Sequence, residues 1–183
     1  MKIPPQAKRV FKGVIFDVYQ WQQKMYDGSI STFEMLKRPS TVEVIAVKDN
    51  KICISHQSQP TKEDFYSLFG GRAEEEEDPL ATAKRELLEE SGMESDNWEL
   101  YKSFNPLHKI DWCVYTYIAK NCRTISKIKP DAGEKIETIE LTFEEFIEYL
   151  LSDKYWGNEI VIDILKMKAD GKLADFKTKL FSK

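Results

Sequence analysis

The chain has 183 residues, 42% of them hydrophobic, which suits one compact domain, or one domain with an N-terminal extension, and excludes a disordered chain. A formal net charge of −4, a pI near 5.4 and basic residues interspersed with acids leave no basic stripe for a phosphate backbone, so nucleic acid is excluded as a large partner. The opening MKIPPQAKRV lacks an apolar signal core and no window approaches 18 apolar residues, so a cytoplasmic protein without a membrane span is expected.

Residues 10–24 alternate loosely and are rich in Val, Ile, Phe and Tyr; Asp27-Gly28 offers a turn, and residues 31–37 can run back as the partner strand. An N-terminal antiparallel β-ribbon is expected there. Residues 41–47 and 51–56 flank Lys48-Asp49-Asn50 as a second hairpin, and residues 65–69 read as a short strand ending at Gly70-Gly71. An acidic helix follows, then an antiparallel pair over 98–104 and 111–119, and one more strand over 135–141. Thr142-Phe143-Glu144-Glu145 is a capping box that predicts a helix over 143–151, and Asn158 can cap a last helix ending near Gly171. The tail KLADFKTKLFSK carries no signal. Strands on both sides of one helix, with helix last, predict a mixed α/β (α+β) sandwich, divided as ribbon 1–40, domain 41–171 and tail 172–183. Cys53, Cys113 and Cys122 are odd in number and lack CxxC spacing or a nearby His pair, so they are expected to be buried thiols rather than disulfides or zinc ligands.

The stretch GGRAEEEEDPLATAKRELLEESGM, residues 70–93, concentrates like charge. Asp78 as N-cap, Pro79 at the first helical position and Gly92 at the left-handed C′ position predict a helix over Pro79–Ser91. Leu80, Ala83 and Leu87 are expected on one side, with Ala81 and Leu88 on its flank and Glu86, Glu89 and Glu90 opposite. Lys84 falls near the apolar stripe, where its stem can snorkel. The glutamates repel one another and crowd the negative end of the helix dipole, so local stability does not select them. A divalent cation such as Mg²⁺, a hard ion that takes oxygen ligands, resolves the conflict, whereas a merely solvated acidic face is the bland alternative.

The same stretch resembles the Nudix box at every specified position: Gly71, Glu77, Arg85, Glu86, Leu87, Glu89, Glu90, Gly92 and Met93. Chance would produce such a match with odds on the order of 10⁻⁷ at average residue usage. The resemblance implies a Nudix α/β/α sandwich with a mixed sheet, behind the N-terminal antiparallel ribbon, and hydrolysis of a nucleoside diphosphate linked to another moiety. It implies Glu86, Glu89 and Glu90 as metal ligands together with the Gly70 carbonyl, Arg85 as the residue that orients the glutamates, and Glu77 as support for the loop or for a further metal. Mg²⁺ is the implied cofactor, with Mn²⁺ as a substitute. Glu74, Glu75 and Glu76 read as solvated loop charges.

The flanks resemble those of ADP-ribose and nucleotide-sugar pyrophosphatases, over roughly residues 10–150. That likeness implies a homodimer through the ribbon, and a base held between Trp21 and Arg38, where a flat ring and a planar guanidinium can sandwich it. Trp21 can equally be a core or dimer-interface aromatic. Glu134 matches the additional catalytic glutamate of the loop DAGEKIETIEL, with Glu137 as the other candidate and Gly133 lending the loop mobility. Arg72 and His108 are further substrate-binding candidates. His108 and Trp112 can line the sugar end, although NPLHKIDWCVY departs from the family's small-residue segment beyond Pro106, and His108 can also be an exposed loop residue. The expected reaction cleaves ADP-ribose or a related nucleoside diphosphate sugar to AMP and a sugar phosphate, with catalytic Arg85, Glu89 and Glu134 or Glu137. Alternatives are a GDP-sugar or dinucleoside polyphosphate hydrolase, and a non-catalytic nucleotide-sugar sensor, which would have no need of every metal ligand.

Overall fold

The computed structural model describes residues 2–182. The ribbon has three strands of its own rather than two: β1 (Lys8–Lys12), β2 (Asp17–Lys24) and β3 (Ile30–Lys37) run antiparallel in succession. The expected single strand over 10–24 is broken at Gly13, whose N–H donates to Phe16 O at 3.1 Å. β2 and β3 turn at Asp27-Gly28, where Gly28 has a φ of 87° and Asp27 Oδ1 accepts from the Ser29 N–H at 2.9 Å.

The central sheet contains β4 (Thr41–Lys48), β5 (Lys51–Gln59) and β6 (Lys62–Ser67). Between β4 and β5, Asp49 and Asn50 have φ of 50° and 58°, the left-handed pair that a two-residue hairpin requires. The chain then enters helix α1 (Pro79–Ser91) and β7 (Met93–Glu94), followed by β8 (Asn97–Phe104), β9 (Ile110–Asp111), β10 (Val114–Lys120), β11 (Arg123–Thr124) and β12 (Lys135–Leu141). The main sheet has the order β12-β5-β4-β10-β8, with β6 on β5; β4 and β10 are parallel and the other pairs antiparallel. Asp111, expected at the start of the strand over 111–119, does not join β10, and with Ile110 it lies outside that strand. They form β9, which lies parallel to β3 and completes the N-terminal sheet.

Helices α2 (Phe143–Leu150), α3 (Asn158–Ala169) and α4 (Leu173–Phe181) close the fold. The Thr142 capping box is formed, with Thr142 Oγ1 accepting from the Glu145 N–H and Glu145 Oε2 accepting from the Thr142 N–H. Asn158 lies inside α3 and Gly157 takes the cap position without a side-chain bond, so the expected Asn158 cap is not made.

Alternation along β4 separates two cores. Val42, Val44 and Ala46 face α1 with Phe69, Ala83, Leu87, Met93 and Tyr117, while Ile45 and Val47 face α2, α3 and α4. A helix lies against one face of the sheet and three against the other, giving an α/β/α sandwich. Residues 172–181, expected to carry no signal, supply α4, and its Phe176 and Leu180 are buried in the second core. Cys53 and Cys122 are buried free thiols; Cys113 is half-buried. Among the described residues no helix is long and apolar enough to cross a membrane.

Candidate active site

Helix α1 is fixed at both ends by the residues its sequence supplies. Asp78 Oδ1 accepts from the N–H groups of Leu80 and Ala81 at 2.9 and 3.2 Å, and Gly92, left-handed at φ 69°, donates to Leu88 O at 2.9 Å. The helix buries Thr82, Ala83, Leu87 and Glu90, whereas Leu88 is exposed and Lys84 points to solvent. Glu90 therefore does not project opposite Ala83 as expected. Seven residues at 100° each return it to within about 20° of Ala83, which puts its carboxylate under the sheet. It is only 4% exposed.

Gly70 and Gly71 make room for that carboxylate and for Glu86. The chain at residues 69–73 runs beside β4, with the Val44 N–H donating to Phe69 O at 2.8 Å and the Val42 N–H to Gly71 O at 2.9 Å. A Cβ on Gly70, whose φ is 152°, would sit 2.1 Å from Val42 O, and one on Gly71 would sit 2.5 Å from Glu86 Oε1. The Gly70 N–H donates to Glu90 Oε2 at 2.8 Å.

Arg85 organises the remaining acids. Its Nε and Nη2 donate to the two Glu77 oxygens, both at 3.0 Å, its Nη1 reaches Glu86 Oε1 at 2.9 Å and Glu89 Oε2 at 3.0 Å, and Nη2 also donates to Arg72 O at 3.2 Å. Glu77 accepts the Glu74 N–H as well, at 3.0 Å, which ties the loop to Arg85 through its carboxylate. The guanidinium holds the Glu77 carboxyl down at about 2, and Glu77 above all keeps Arg85 above its ordinary value. Glu86 and Glu90 receive less compensation. Burial pushes Glu86 up to about 6 and Glu90 up to about 9, the latter despite the Gly70 N–H and reinforced by Glu86, Glu134 and Glu89.

Glu134 sits in the loop before β12 and accepts from Gln59 Nε2 at 3.0 Å. Burial, then Asp131, raises its carboxyl, its charge also raises Glu86 and Glu90, and the loop that carries it is tied to α1 where the Lys129 N–H donates to Glu89 O at 2.7 Å. Glu137 does not join the site. It pairs in register with His56 of β5, on the face of the sheet away from α1, and its side chain is 79% exposed, 4.0 Å from His56 Nδ1.

Among the substrate-binding candidates, the structure does not bring Trp21 to Arg38 within the chain. Trp21 is buried against Phe33, its Nε1 donating to Gln23 Oε1 at 3.0 Å. The Arg38 guanidinium lies over Trp112 at 4.4 Å and Phe16 at 5.6 Å, with its Nε buried and without a hydrogen-bond partner, and Arg72 depresses it further after burial does. Trp112 is fixed by its Nε1–H donating to Thr41 Oγ1 at 3.1 Å. His108 is exposed in the loop before β9. Ser55, Gln57 and Gln59 lie on the α1 face of β5, and polar residues at alternate positions of a core strand are a signal that the sequence carries.

Among the described residues no three His, Cys, Asp or Glu side chains converge as a ready-made cage, because Glu86 and Glu89 are turned onto Arg85 and Glu90 onto Gly70. The chemistry of the donor set nevertheless fits a hard divalent cation. Two under-compensated buried carboxylates adjoin a backbone loop whose close packing only glycine permits, and the Gly70 carbonyl has no protein donor among the described residues.

The family pattern described as NUDIX domain matches residues 37–163. The chain is 30% identical over 166 residues to the methanol dehydrogenase activator of Bacillus methanolicus, covering 87% of this chain and 88% of that protein. It is 27% identical over 149 residues to the ADP-ribose pyrophosphatase of Bacillus subtilis (strain 168), covering 79% and 80%. A crystal structure of an ADP compounds hydrolase shares its fold with a TM-score of 0.71 at 15% identity, over 92% of this chain and 95% of that one.

Proposed function

This chain belongs to the Nudix family of hydrolases, and on that premise we propose that it cleaves the pyrophosphate bond of ADP-ribose or a related nucleoside diphosphate sugar in a divalent-metal-dependent reaction. The observation that carries the reading is the pair of under-compensated carboxylates, half-buried Glu86 and buried Glu90, packed against the Gly70-Gly71 loop, with the charge of Glu134 acting on both. The 27% identity to an ADP-ribose pyrophosphatase supports the substrate class.

Glu86, Glu89, Glu90 and the Gly70 carbonyl would hold Mg²⁺, or Mn²⁺, which when bound neutralises phosphate charge and lowers the pKa of water. Arg85 keeps the glutamates oriented from one side through its fan of charge-assisted bonds. Glu134 takes the proton of the attacking water as its oxygen bonds to phosphorus and the bridging P–O bond breaks, releasing AMP and a sugar phosphate. Arg38, with an unpartnered buried Nε, and the adjacent Arg72 supply positive charge for the substrate's anionic or carbonyl groups.

A second reading has a specific support, the 30% identity to a protein named methanol dehydrogenase activator. In it the same hydrolase also raises the rate of a dehydrogenase. A panel of ADP-, GDP- and UDP-linked sugars and dinucleoside polyphosphates, assayed with Mg²⁺ and Mn²⁺, tests the first reading. ADP-ribose should turn over best and release AMP; a preference for a GDP-sugar, or no turnover of any compound, contradicts it. Addition of the chain to a methanol dehydrogenase tests the second, which an unchanged dehydrogenase rate contradicts.

A further inference from the structure

Beneath α1, the face of β5 that continues the apolar core from Cys53 changes character and carries Ser55, Gln57 and Gln59 at successive alternate positions. Ser55 is fully buried and Gln57 nearly so. Buried polar groups demand partners, and these find them in one another.

The bonds form a chain whose direction is fixed at its inner end. Ser55 Oγ has one proton and meets Ser67 at two oxygens, its O at 3.0 Å and its Oγ at 2.9 Å; with that proton given to Ser67, Ser55 Oγ accepts from Gln57 Nε2, 2.8 Å away. Gln57 Nε2 also reaches Ser67 Oγ at 3.2 Å. The Gln57 amide is thereby turned with its oxygen toward Gln59, whose Nε2 lies 3.4 Å from that oxygen and 3.0 Å from Glu134 Oε1. Gln59 must therefore present N–H rather than C=O to the loop carboxylate. Further back the loop is tied to α1, the Lys129 N–H donating to Glu89 O at 2.7 Å; near its tip the Glu134 N–H donates to Asp131 O at 2.9 Å within the same turn, and Gly133 packs beside Pro60, the neighbour of Gln59.

We propose that Gln59 is a positioning residue, which uses an amide donor oriented by the Ser67–Ser55–Gln57 row to hold the Glu134 carboxylate toward the acidic face of α1. The assignment rests on the reading of Glu134 as the residue that takes the proton from water. A carboxylate on a loop samples many orientations, and a bond to a donor with a fixed direction removes most of them, so the contribution belongs to geometry at the reacting atoms and not to substrate affinity.

The test compares Gln59→Leu, the isosteric Gln59→Glu, Glu134→Gln and the double variant Gln59→Leu/Glu134→Gln, all as the full chain with ADP-ribose and Mg²⁺. Both Gln59 variants should lower kcat by about ten- to a hundredfold with KM within about twofold, the scale of a misplaced catalytic group. The double variant should lose no more than Glu134→Gln alone, because the two residues act as one unit. Independently of turnover and of metal, amide hydrogen exchange at residues 131–135 should be faster in Gln59→Leu than in the wild type. Wild-type kcat and wild-type exchange in Gln59→Leu, with kcat lost in Glu134→Gln, overturn the positioning role and leave the reading of Glu134 standing. A fully additive loss in the double variant overturns it too, and wild-type kcat in Glu134→Gln removes both together.

Discussion

Three carboxylates share one guanidinium in this site, the sharing is unequal, and a fourth, Glu90, has only the Gly70 N–H. Glu77 takes Arg85 with both oxygens and is held at about 2, while Glu86 and Glu90 rise to about 6 and 9. The two effects act on stability in opposite windows. Glu77, depressed from 4.5, contributes stability that is present above about 4.5 and is lost as pH falls toward 2. Glu86 and Glu90, raised from 4.5, bind protons in the folded state that the unfolded chain has released, so without metal the fold weakens as pH rises from about 4.5 to 9. A divalent cation favours the ionised forms. Thermal melts should therefore show a Mg²⁺-induced rise in Tm that is larger at pH 8 than at pH 5.5, roughly 5–10 °C at a hundredfold excess over Kd. An equal rise at both pH values would speak against binding through these carboxylates. The two loop-strand acids separate by the same logic: Glu134→Gln should lower kcat by about 10²- to 10⁴-fold with KM nearly unchanged. Glu137→Gln, exposed on the opposite face, should leave both constants near wild type, and steady-state kinetics on the two variants decides between them.

At the level of elements, α1 was legible because its boundary residues act locally. An Asp cap, a Pro at the first position and a Gly at C′ depend on backbone groups within a few residues, and the helix runs over Pro79–Ser91 as they predict. The hairpin at Asp49-Asn50 and the Thr142 box were legible for the same reason. The face of α1 that meets the sheet is not legible at Glu90, since a carboxylate is placed inside only when the site, rather than the helix, determines the sequence. Features that depend on distant partners were not legible. Residues 110–111 leave β10 to join β3, and Arg38 stacks on Trp112, which lies 74 positions further along the chain. Nor did the final segment announce α4, a short helix whose stability comes from tertiary burial of Phe176 and Leu180. Phe176→Ala should lower unfolding free energy by about 3–5 kcal/mol in denaturant melts, as for a buried aromatic, and a loss under about 1 kcal/mol would show that α4 is not part of the core.

At the scale of the whole molecule, the α/β/α sandwich places the α1 glutamates against the Gly70-Gly71 loop, and the N-terminal sheet carries apolar groups that are uncovered. Phe11, Val14 and Ile15 are exposed, Val14 at 96%, on a sheet whose outer strand β1 has a free edge. We propose that a second copy of the chain covers this surface, in a two-fold homodimer. Light scattering should give twice the chain mass for the wild type and a monomer for Phe11→Glu; a monomeric wild type removes the dimer. Trp21→Ala tests whether the ribbon also reaches the nucleotide of the partner, with KM expected to rise about tenfold if it stacks on the base and to stay unchanged if Trp21 only packs on Phe33. In the proposed reaction the helix glutamates hold a metal for pyrophosphate cleavage. The most direct test of this is AMP release from ADP-ribose by wild type and Glu90→Gln at saturating Mg²⁺, with circular dichroism to confirm that both are folded. Turnover should fall at least about a hundredfold in the variant, the scale of lost electrostatic stabilisation of the transition state, and vanish for the wild type in excess chelator; wild-type turnover in folded Glu90→Gln, or undiminished turnover in chelator, would contradict it.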